Sequence, residues 1–408
     1  MTPEAVAARS AIESLRSGVP SRHAVTQLGT TQTEVKERFD TALEALTAGQ
    51  GVEPIVVSAN FGAGKSHLLN YLQALAAQQG FVNSFVVVSP EMPLGNGHAV
   101  LKTLAESAQA PGRTGTALHA LTHDLRTNSP AYADLRLWAK EAGIHDRFRA
   151  LLHIYEEFRA DEELRTLVLE DFEGKPLLKN VIRQKLKELG ELAAYDLSGP
   201  RNTLLAHDRI RLLAQFYRAA GGKGLVVLFD EVERIARFSI KQRIAAYQEL
   251  GWWSDIARQE GSAILPIFTL ASGFLLETVT GGTYDEQRFQ SARIDADQDA
   301  RDLMALRGIA LLKTFHRLES LTPEQEEQVK YRVKHLYEQA YEITAPRLPR
   351  DRAVTTIRAE IRRWITLWDL HRYYPDYAPQ LQEEALTFDS SEIADDALPT
   401  EEENEGFS

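Results

Sequence analysis

Residues 55–69 read Ile-Val-Val-Ser-Ala-Asn-Phe-Gly-Ala-Gly-Lys-Ser-His-Leu-Leu, and this stretch decides the fold class. A short run of β-branched residues, typical of a buried strand, leads into a glycine-bearing loop and then into the apolar start of a helix. A phosphate-binding loop requires this order of strand, loop and helix. Its backbone N–H groups surround the phosphates, and the positive end of the helix dipole faces them. The stretch therefore predicts a site for a nucleoside triphosphate.

The loop and the first helical residues supply the expected phosphate ligands of this Walker A-type motif. Lys65 adds a compact cation for the terminal phosphates, and the hydroxyl of Ser66 is a ligand for Mg²⁺. The usual pattern starts with glycine, whereas this chain has Ala59 there. Alanine is the mildest replacement, provided that its φ angle stays negative. We expect the nucleotide to contact eight consecutive residues: Asn60, Phe61, Gly62, Ala63, Gly64, Lys65, Ser66 and His67.

A second motif follows about 160 residues later, where residues 225–231 read Leu-Val-Val-Leu-Phe-Asp-Glu. The continuous apolar run is typical of a central parallel strand, and the acids mark its carboxyl end as a Walker B-type pair. We expect Asp230 to hold Mg²⁺ together with Ser66, and Glu231 to orient or deprotonate the attacking water. The guanine-specific motif Asn-Lys-x-Asp is missing from the sequence, so the expected base is adenine.

Other side chains are candidates for the γ-phosphate end of the site. Ser272, with Thr269 as the alternative, ends the next predicted strand and could sense that phosphate. Phosphoryl transfer gains from an arginine because negative charge is spread over the transferred group. Arg307, with Arg301 as the alternative, could serve a neighbouring subunit in a homo-oligomer, and Arg350 could reach the nucleotide from the C-terminal helices. The competing interpretations are that the strand-end hydroxyl only bonds the backbone, and that the arginines only cover the surface.

The composition places the chain among soluble globular proteins. Its 408 residues are 44% hydrophobic and 25% charged, which fits two or three domains. No apolar stretch has the length of a transmembrane helix, and the N-terminus lacks the features of a signal peptide. The absence of cysteine excludes disulfides, thiol nucleophiles and cysteine-ligated zinc. We therefore expect a cytoplasmic protein without membrane contact.

The net charge of −12 is unevenly distributed. Residues 383–408 contain ten acids and no bases, and subtracting them leaves −2 for residues 1–382. A nearly neutral body argues against a general electrostatic nucleic-acid binder. Residues 347–372 are locally basic, with seven arginines against three acids. These arginines either pair within the fold or form a surface that contacts the phosphates of DNA or of the nucleotide.

Strand and helix patterns alternate, which predicts an α/β fold with a parallel sheet flanked by helices. Further strands are expected near 85–88, 263–271 and 315–319, and ligands should bind at the carboxyl ends of the strands. Thr31 with Glu34, and Thr322 with Gln325, have the spacing of helix capping boxes. The predicted domains are an N-terminal helical segment (1–50), a P-loop ATPase core (51–320), a helical lid (321–380) and an acidic disordered tail (381–408). The core contains a helical insertion at about 98–220. The last helix of the lid is predicted to span about 352–370.

These motifs together resemble the AAA+ branch of the P-loop (AAA+/ASCE-like) ATPases, and within it the BrxD family of ATP-binding proteins from BREX anti-phage systems. The resemblance covers about residues 5–375. It is carried by residues 11–22 with Leu28-Gly29 after them, by 60–69, by the strand ending in Asp230-Glu231, and by 318–325. It implies binding and hydrolysis of ATP with Mg²⁺. It also implies membership of a multi-protein defence complex that acts on phage DNA.

Three functional hypotheses follow. The first is a Mg²⁺-dependent ATPase that drives or switches a DNA-associated defence complex, with other complex proteins as partners and DNA bound weakly or through them. The second is a nucleotide-gated scaffold with negligible turnover. The third is an ATPase that binds DNA directly, in the manner of a helicase loader or initiator. An intact acidic pair favours the first, whereas Ala59 and the acidic tail mildly favour the second.

Overall fold

The structure is a computed structural model of the 408-residue chain. The described residues are 2–18, 21–60, 62–199, 205–281, 284–287, 296–348 and 356–375. For residue 22 and residues 296–300, the backbone alone is described. The predicted contacts of Phe61 and Arg350, and the predicted acidic tail, lie outside the described residues.

A five-stranded parallel sheet forms the centre of the fold. Its strands are β1 (Ile55–Ala59), β2 (Val82–Val87), β3 (Leu225–Asp230), β4 (Ile264–Ala271) and β5 (His316–Arg317). They lie in the order β2-β3-β4-β1-β5. The predicted α/β fold of a P-loop NTPase is confirmed. Strand β4 lies between β1, which carries the phosphate loop, and β3, which carries the acidic pair. The carboxyl ends of these three strands therefore lie side by side.

Both faces of the sheet are covered, because side chains of a strand alternate between its faces and here both sets are apolar. Val226 and Leu228 of β3 pack into one core, while Leu225, Val227 and Phe229 pack into another. The first core is completed by α3 (Thr33–Thr47) and α4 (Lys65–Gln78). The second is completed by α5 (Gly97–Ser107), α11 (Ala206–Ala219), α12 (Ile240–Arg258) and α13 (Ala296–Lys313).

The chain between β2 and β3 is largely helical. A buried ion cluster holds part of it together: Asp171 is fully buried and accepts hydrogen bonds from Arg147, from Arg209 and from the backbone of Leu177. Between α5 and α11 the helices are α6 (Ala117–Thr122), α7 (Pro130–Glu141), α8 (Asp146–Glu157), α9 (Glu162–Phe172) and α10 (Lys179–Glu188), followed by a 3-10 turn at Leu192–Ala194.

A third core joins the two ends of the described chain. Helices α1 (Pro3–Ser17) and α2 (Arg22–Leu28) pack against α14 (Pro323–Tyr341) and α15 (Ile357–Tyr373). We call α14 and α15 the lid. Arg16 of α1 also pairs with Asp369 of α15, at 2.6 Å between Nη2 and Oδ2. The N-terminal helices and the lid therefore form one helical unit beside the sheet.

The two capping predictions had different outcomes. Thr322 and Gln325 form the predicted capping box at the start of α14. The box of Thr31 and Glu34 was wrong: α3 begins after Gln32, and no side chain caps it among the described residues. The side chain of Gln32 instead bonds the backbone N–H and C=O of Glu319. A tertiary contact thus replaces the local cap.

Candidate functional site

The phosphate loop, residues 60–64, connects β1 to α4. Gly62 and Gly64 have φ angles of 77° and 98°, a conformation that glycine adopts without steric cost. Gly64 is also the N-cap of α4. Glycine has no side chain to cap the helix, so the first N–H groups of α4 are available to an anion.

Ala59, which stands where the usual motif has glycine, has an ordinary strand conformation. Ala59 is the last residue of β1 and pairs with Ala271 of β4, and it is not among the residues with positive φ. Its carbonyl accepts hydrogen bonds from Nζ of Lys65 at 3.1 Å and from the backbone N–H of Ser272 at 3.0 Å. Glycine is therefore not required at this position.

Asp230 and Ser66 bring the two motifs into direct contact. The hydroxyl of Ser66 donates to Oδ2 of Asp230 at 2.9 Å, although 164 residues separate them. Oδ1 of Asp230 accepts from the hydroxyl of Thr269 at 2.5 Å and from the backbone N–H of Glu231 at 3.0 Å. Asp230 is 5% exposed, so these bonds compensate a buried carboxylate.

The oxygens of Ser66 and Asp230 fit the preferences of Mg²⁺, which takes oxygen ligands and commonly uses one or two protein groups plus phosphate and water. Among the described residues, no group of three or more His, Cys, Asp or Glu side chains is arranged to hold a metal ion. The two oxygens of Ser66 and Asp230 could hold a Mg²⁺ ion that arrives with a nucleotide, with phosphate and water as its other ligands.

Glu231 has an uncommon backbone conformation. Its φ and ψ angles are 61° and 37°, in the left-handed region that non-glycine residues rarely adopt. Its Oε2 pairs with Nε of Arg234 at 2.6 Å, at the start of the 3-10 helix Val232–Arg237. Such conformations are concentrated at functional sites, where the surrounding structure compensates the strain.

A third acid, Glu233, was missed by the sequence analysis. Its Oε1 lies 3.9 Å from Nζ of Lys65, which is itself 8% exposed. Burial raises the pKa of Glu233, although the charge of Lys65 and a hydrogen bond with the backbone of Ala271 oppose the shift. The signal was available as a second acid two residues after Glu231, but only the 3-10 turn directs its side chain to the lysine.

Thr269 and Ser272, the two sensor candidates, lie at different places. Thr269 is fully buried and bonds Asp230, as described above. Ser272 reaches the phosphate loop, where its hydroxyl hydrogen-bonds the side chain of Asn60. Both hydroxyls therefore lie at the carboxyl end of β4, next to the two motifs.

Arg307 has a partner within its own subunit. Its Nη1 pairs with Oδ2 of Asp255 of α12 at 2.5 Å, and half of its side chain is exposed. The alternative, Arg301, is also exposed. Arg350 falls outside the described residues.

A cavity of about 520 Å³ opens beside the phosphate loop, within the size range of small-molecule sites. One end is formed by Asn60, Gly62, Ala63, Gly64 and His67. The rest lies between the N-terminal helices, residues 28–32, residues 318–321 and the lid. The apolar residues that line it are Leu15, Leu28, Leu68, Leu318, Leu321, Val329, Ile357 and Ile361. The cavity thus combines an anion-binding end with an apolar region suited to a nucleoside.

The start of α15 contacts the phosphate loop. Thr356 caps this helix, and a Cβ atom placed on Gly62 would lie 3.1 Å from Cγ2 of Thr356. Arg358, in the first turn, lines the cavity. The predicted last helix began near residue 352, whereas α15 starts at Ile357. Arg358 is therefore an arginine of the lid that lies at the cavity and that the sequence analysis did not name as a site residue.

His67 connects α4 to residues 28–32, which also line the cavity. Its Nε2 lies 2.8 Å from the carbonyl oxygen of Gly29, and burial lowers the pKa of the imidazole. A neutral ring that donates from Nε2 fits this contact. His67 thus connects the phosphate end of the cavity to residues 29–32.

Within the described residues, no helix is both long enough and apolar enough to span a bilayer.

Comparison with known proteins assigns the family. A search of curated proteins gives no match. The family described as "BREX system ATP-binding protein BrxC/D" matches residues 4–124 and 145–380, which is most of the chain. The predicted BREX resemblance is thereby confirmed, and the chain belongs to the BrxC/D family of BREX ATP-binding proteins.

Proposed function

We propose that this protein is a Mg²⁺-dependent ATPase that drives or switches a DNA-associated BREX defence complex. The observation that carries the proposal is the 2.9 Å hydrogen bond between Ser66 and Asp230. It joins the first turn of α4 to the carboxyl end of β3. This is where hydrolysis of a nucleoside triphosphate needs both a metal ligand set and a base.

In the proposed binding mode, the triphosphate lies against the N–H groups of residues 62–66 and the nucleoside lies in the apolar part of the cavity. Lys65 and Arg358 supply positive charge to the phosphates. Ser66 and Asp230 would hold Mg²⁺, which would offset the negative charge of the phosphates. Ser272 and Asn60 are the proposed contacts of the γ-phosphate from the β4 side.

Hydrolysis transfers the γ-phosphoryl group to water and yields ADP and phosphate. Glu231 is the proposed residue that orients this water and accepts its proton. Its Oε2 pairs with Nε of Arg234 at 2.6 Å, so this contact must open if the water is to bond that oxygen. Arg307 is proposed to complete the site of a neighbouring subunit in a homo-oligomer, after release from Asp255.

A nucleotide-gated scaffold with negligible turnover is the second candidate. The ion pair of Glu231 with Arg234 favours the scaffold, because a protein whose catalytic base stays paired would bind nucleotide without hydrolysing it. Direct DNA binding of the helicase-loader type has less support. Arg362 bonds the backbone of Ser17, Arg363 pairs with Glu360, and Arg372 pairs with Asp369. These arginines are engaged within the fold.

The test compares the parent with Lys65→Ala and Glu231→Gln, with Glu44→Gln on the exposed face of α3 as the control. Calorimetry with MgATP measures binding, and phosphate release measures turnover with and without duplex DNA. We expect Lys65→Ala to lose binding, and Glu231→Gln to keep binding but lose at least about 100-fold in turnover. If the parent protein binds MgATP but releases no phosphate with or without DNA, the ATPase proposal fails and the scaffold function replaces it.

A further inference from the structure

Glu360 is a buried acid in the first turn of α15 with one unsatisfied oxygen. It forms part of the cavity wall and is 4% exposed. Arg363 pairs with its Oε2, at 3.1 Å from Nη2 and 3.2 Å from Nε. Oε1 is buried without a hydrogen-bond partner in the described part of the chain. Buried polar atoms are nearly always bonded in native proteins, so Oε1 needs a donor from elsewhere.

The position of Glu360 on α15 indicates which part of a nucleotide it would meet. Consecutive residues of a helix are about 100° apart around its axis, since a turn has 3.6 residues. Ile357 and Ile361 share one face, with Arg358 on one flank and Glu360 on the other. Arg358 supplies the positive charge that phosphates need, whereas a carboxylate would repel them. A ligand lying across the two isoleucines therefore presents its nucleoside to Glu360.

The chemistry of a carboxylate limits what it recognises. With Arg363 bound to Oε2, the carboxylate is an acceptor at Oε1 and requires an N–H or O–H donor. The nucleoside of ATP offers two kinds of donor, the 6-amino group of adenine and the ribose hydroxyls. Removing the donor would leave the buried oxygen unpaired, and sites of this kind discriminate strongly against analogues without the donor.

We propose that Glu360 is a specificity-determining residue whose Oε1 accepts a hydrogen bond from the nucleoside of ATP. This inference rests on the proposed position of the nucleotide in the cavity. It assigns recognition of the nucleoside to a charged side chain of the lid. Closure of the lid and selection of the nucleotide are then coupled through the same helix.

The test measures binding of three Mg²⁺ nucleotides by calorimetry: ATP, the triphosphate of purine riboside, which lacks the 6-amino group, and 2′-deoxyATP. Glu360→Met removes the acceptor at similar volume, and Glu360→Gln replaces the charged acceptor with a neutral one. Arg363→Met is the matched control, because it breaks the same ion pair but keeps the acceptor. Circular dichroism checks that each variant is folded.

We expect Glu360→Met to weaken ATP binding about tenfold or more, and Glu360→Gln to have an intermediate effect. Binding of one analogue should change little, which identifies the missing donor as the partner of Glu360. Arg363→Met should keep the parental preference for ATP over that analogue. If Glu360→Met is unfolded, the preference of Glu360→Gln decides the test.

Equal losses for all three nucleotides in the Glu360 variants, or an unchanged preference, would overturn the inference. A loss of preference in Arg363→Met equal to that in Glu360→Met would also overturn it, because the ion pair alone would then be responsible. A parent that binds none of the three nucleotides contradicts the proposed function instead, so the two failures are distinguishable.

Discussion

Glu233 lies beside the lysine that follows the phosphate loop: its Oε1 is 3.9 Å from Nζ of Lys65. The same ammonium donates to the carbonyl oxygen of Ala59 at 3.1 Å. Lys65 is 8% exposed, so these two groups replace most of the water around its charge. In the proposed binding mode, a terminal phosphate and Glu233 compete for one cation.

This competition predicts the effect of Glu233→Gln on nucleotide affinity. Removing the charge of Glu233 should free Lys65 for the phosphates and tighten MgATP binding about twofold to fivefold, the range expected for a weak ion pair. Titration calorimetry at neutral pH measures the change. Weaker binding in the variant would contradict competition, and would show that the carboxylate positions the lysine instead.

Glu233 should also make stability depend on pH. Burial raises its pKa above the ordinary value of 4.5, so the folded protein keeps this proton at pH values where the unfolded chain has released it. The contribution of this group to the unfolding free energy is therefore complete below pH 4.5 and is lost as pH rises through the raised pKa.

Glu233→Gln removes that dependence. From pH 4.5 to neutral pH, the unfolding free energy of the variant should increase relative to that of the parent. Urea unfolding across this range measures the difference. The exposed Glu44→Gln should run parallel to the parent, and a change of opposite sign for Glu233→Gln would contradict the raised pKa.

Thr269→Val tests the support of Asp230. Valine keeps the shape of the buried side chain but removes the hydroxyl that donates to Oδ1 at 2.5 Å. Losing a hydrogen bond to a buried carboxylate should cost about 1.5–3 kcal/mol of unfolding free energy. Ser272→Ala is the control, because Ser272 is only half-buried and bonds Asn60 rather than a charged group. Equal costs for the two variants in urea unfolding would refute the special role of Thr269.

Gly62→Ala tests the contact between the phosphate loop and the lid. The variant combines a positive φ angle of 77° with a new methyl group 3.1 Å from Thr356. Gly49→Ala is a matched control, since its φ angle is 78° and no atom lies within 4 Å of the added Cβ. Both should lose about 1–2 kcal/mol of stability from backbone strain.

Only Gly62→Ala should also displace the lid, and we expect its MgATP affinity to fall at least about tenfold while Gly49→Ala binds normally. Unfolding and calorimetry on the same preparations separate the two effects. Normal affinity in Gly62→Ala would show that the lid contact does not affect the nucleotide site.

Asp171→Asn should destabilise the helical region between β2 and β3. The substitution leaves the buried guanidinium groups of Arg147 and Arg209 without their shared carboxylate, and breaking a buried ion cluster typically costs about 3–5 kcal/mol. Asp124→Asn breaks the exposed pair with Arg113 and should cost less than about 1 kcal/mol. Similar costs in thermal unfolding would contradict the importance of burial.

The sequence predicted the parts of the site that depend on strand order. Ser66 and Asp230 were expected to meet because the ends of parallel strands lie along one edge of a sheet, and their hydroxyl and carboxylate are in contact. Such a prediction needs only local patterns. It does not depend on how the rest of the chain packs.

The parts that were missed depend on backbone details and long-range packing. Glu233 faces Lys65 because Glu231 adopts a left-handed conformation and a 3-10 turn follows, and apolar periodicity does not report either feature. Arg358 was missed because the start of α15 depends on the cap formed by Thr356. The apolar part of the cavity joins segments from both ends of the described chain.

The pairing of α1 with α15 has a consequence for synthesis of the protein. Arg16 and Asp369 are 353 residues apart. At a translation rate of about 5–20 residues per second, the ribosome needs roughly 20–70 s to make the partner of α1. During that interval the apolar side of α1 has no lid to cover it, so the nascent chain offers a binding site for chaperones before it can bind ATP.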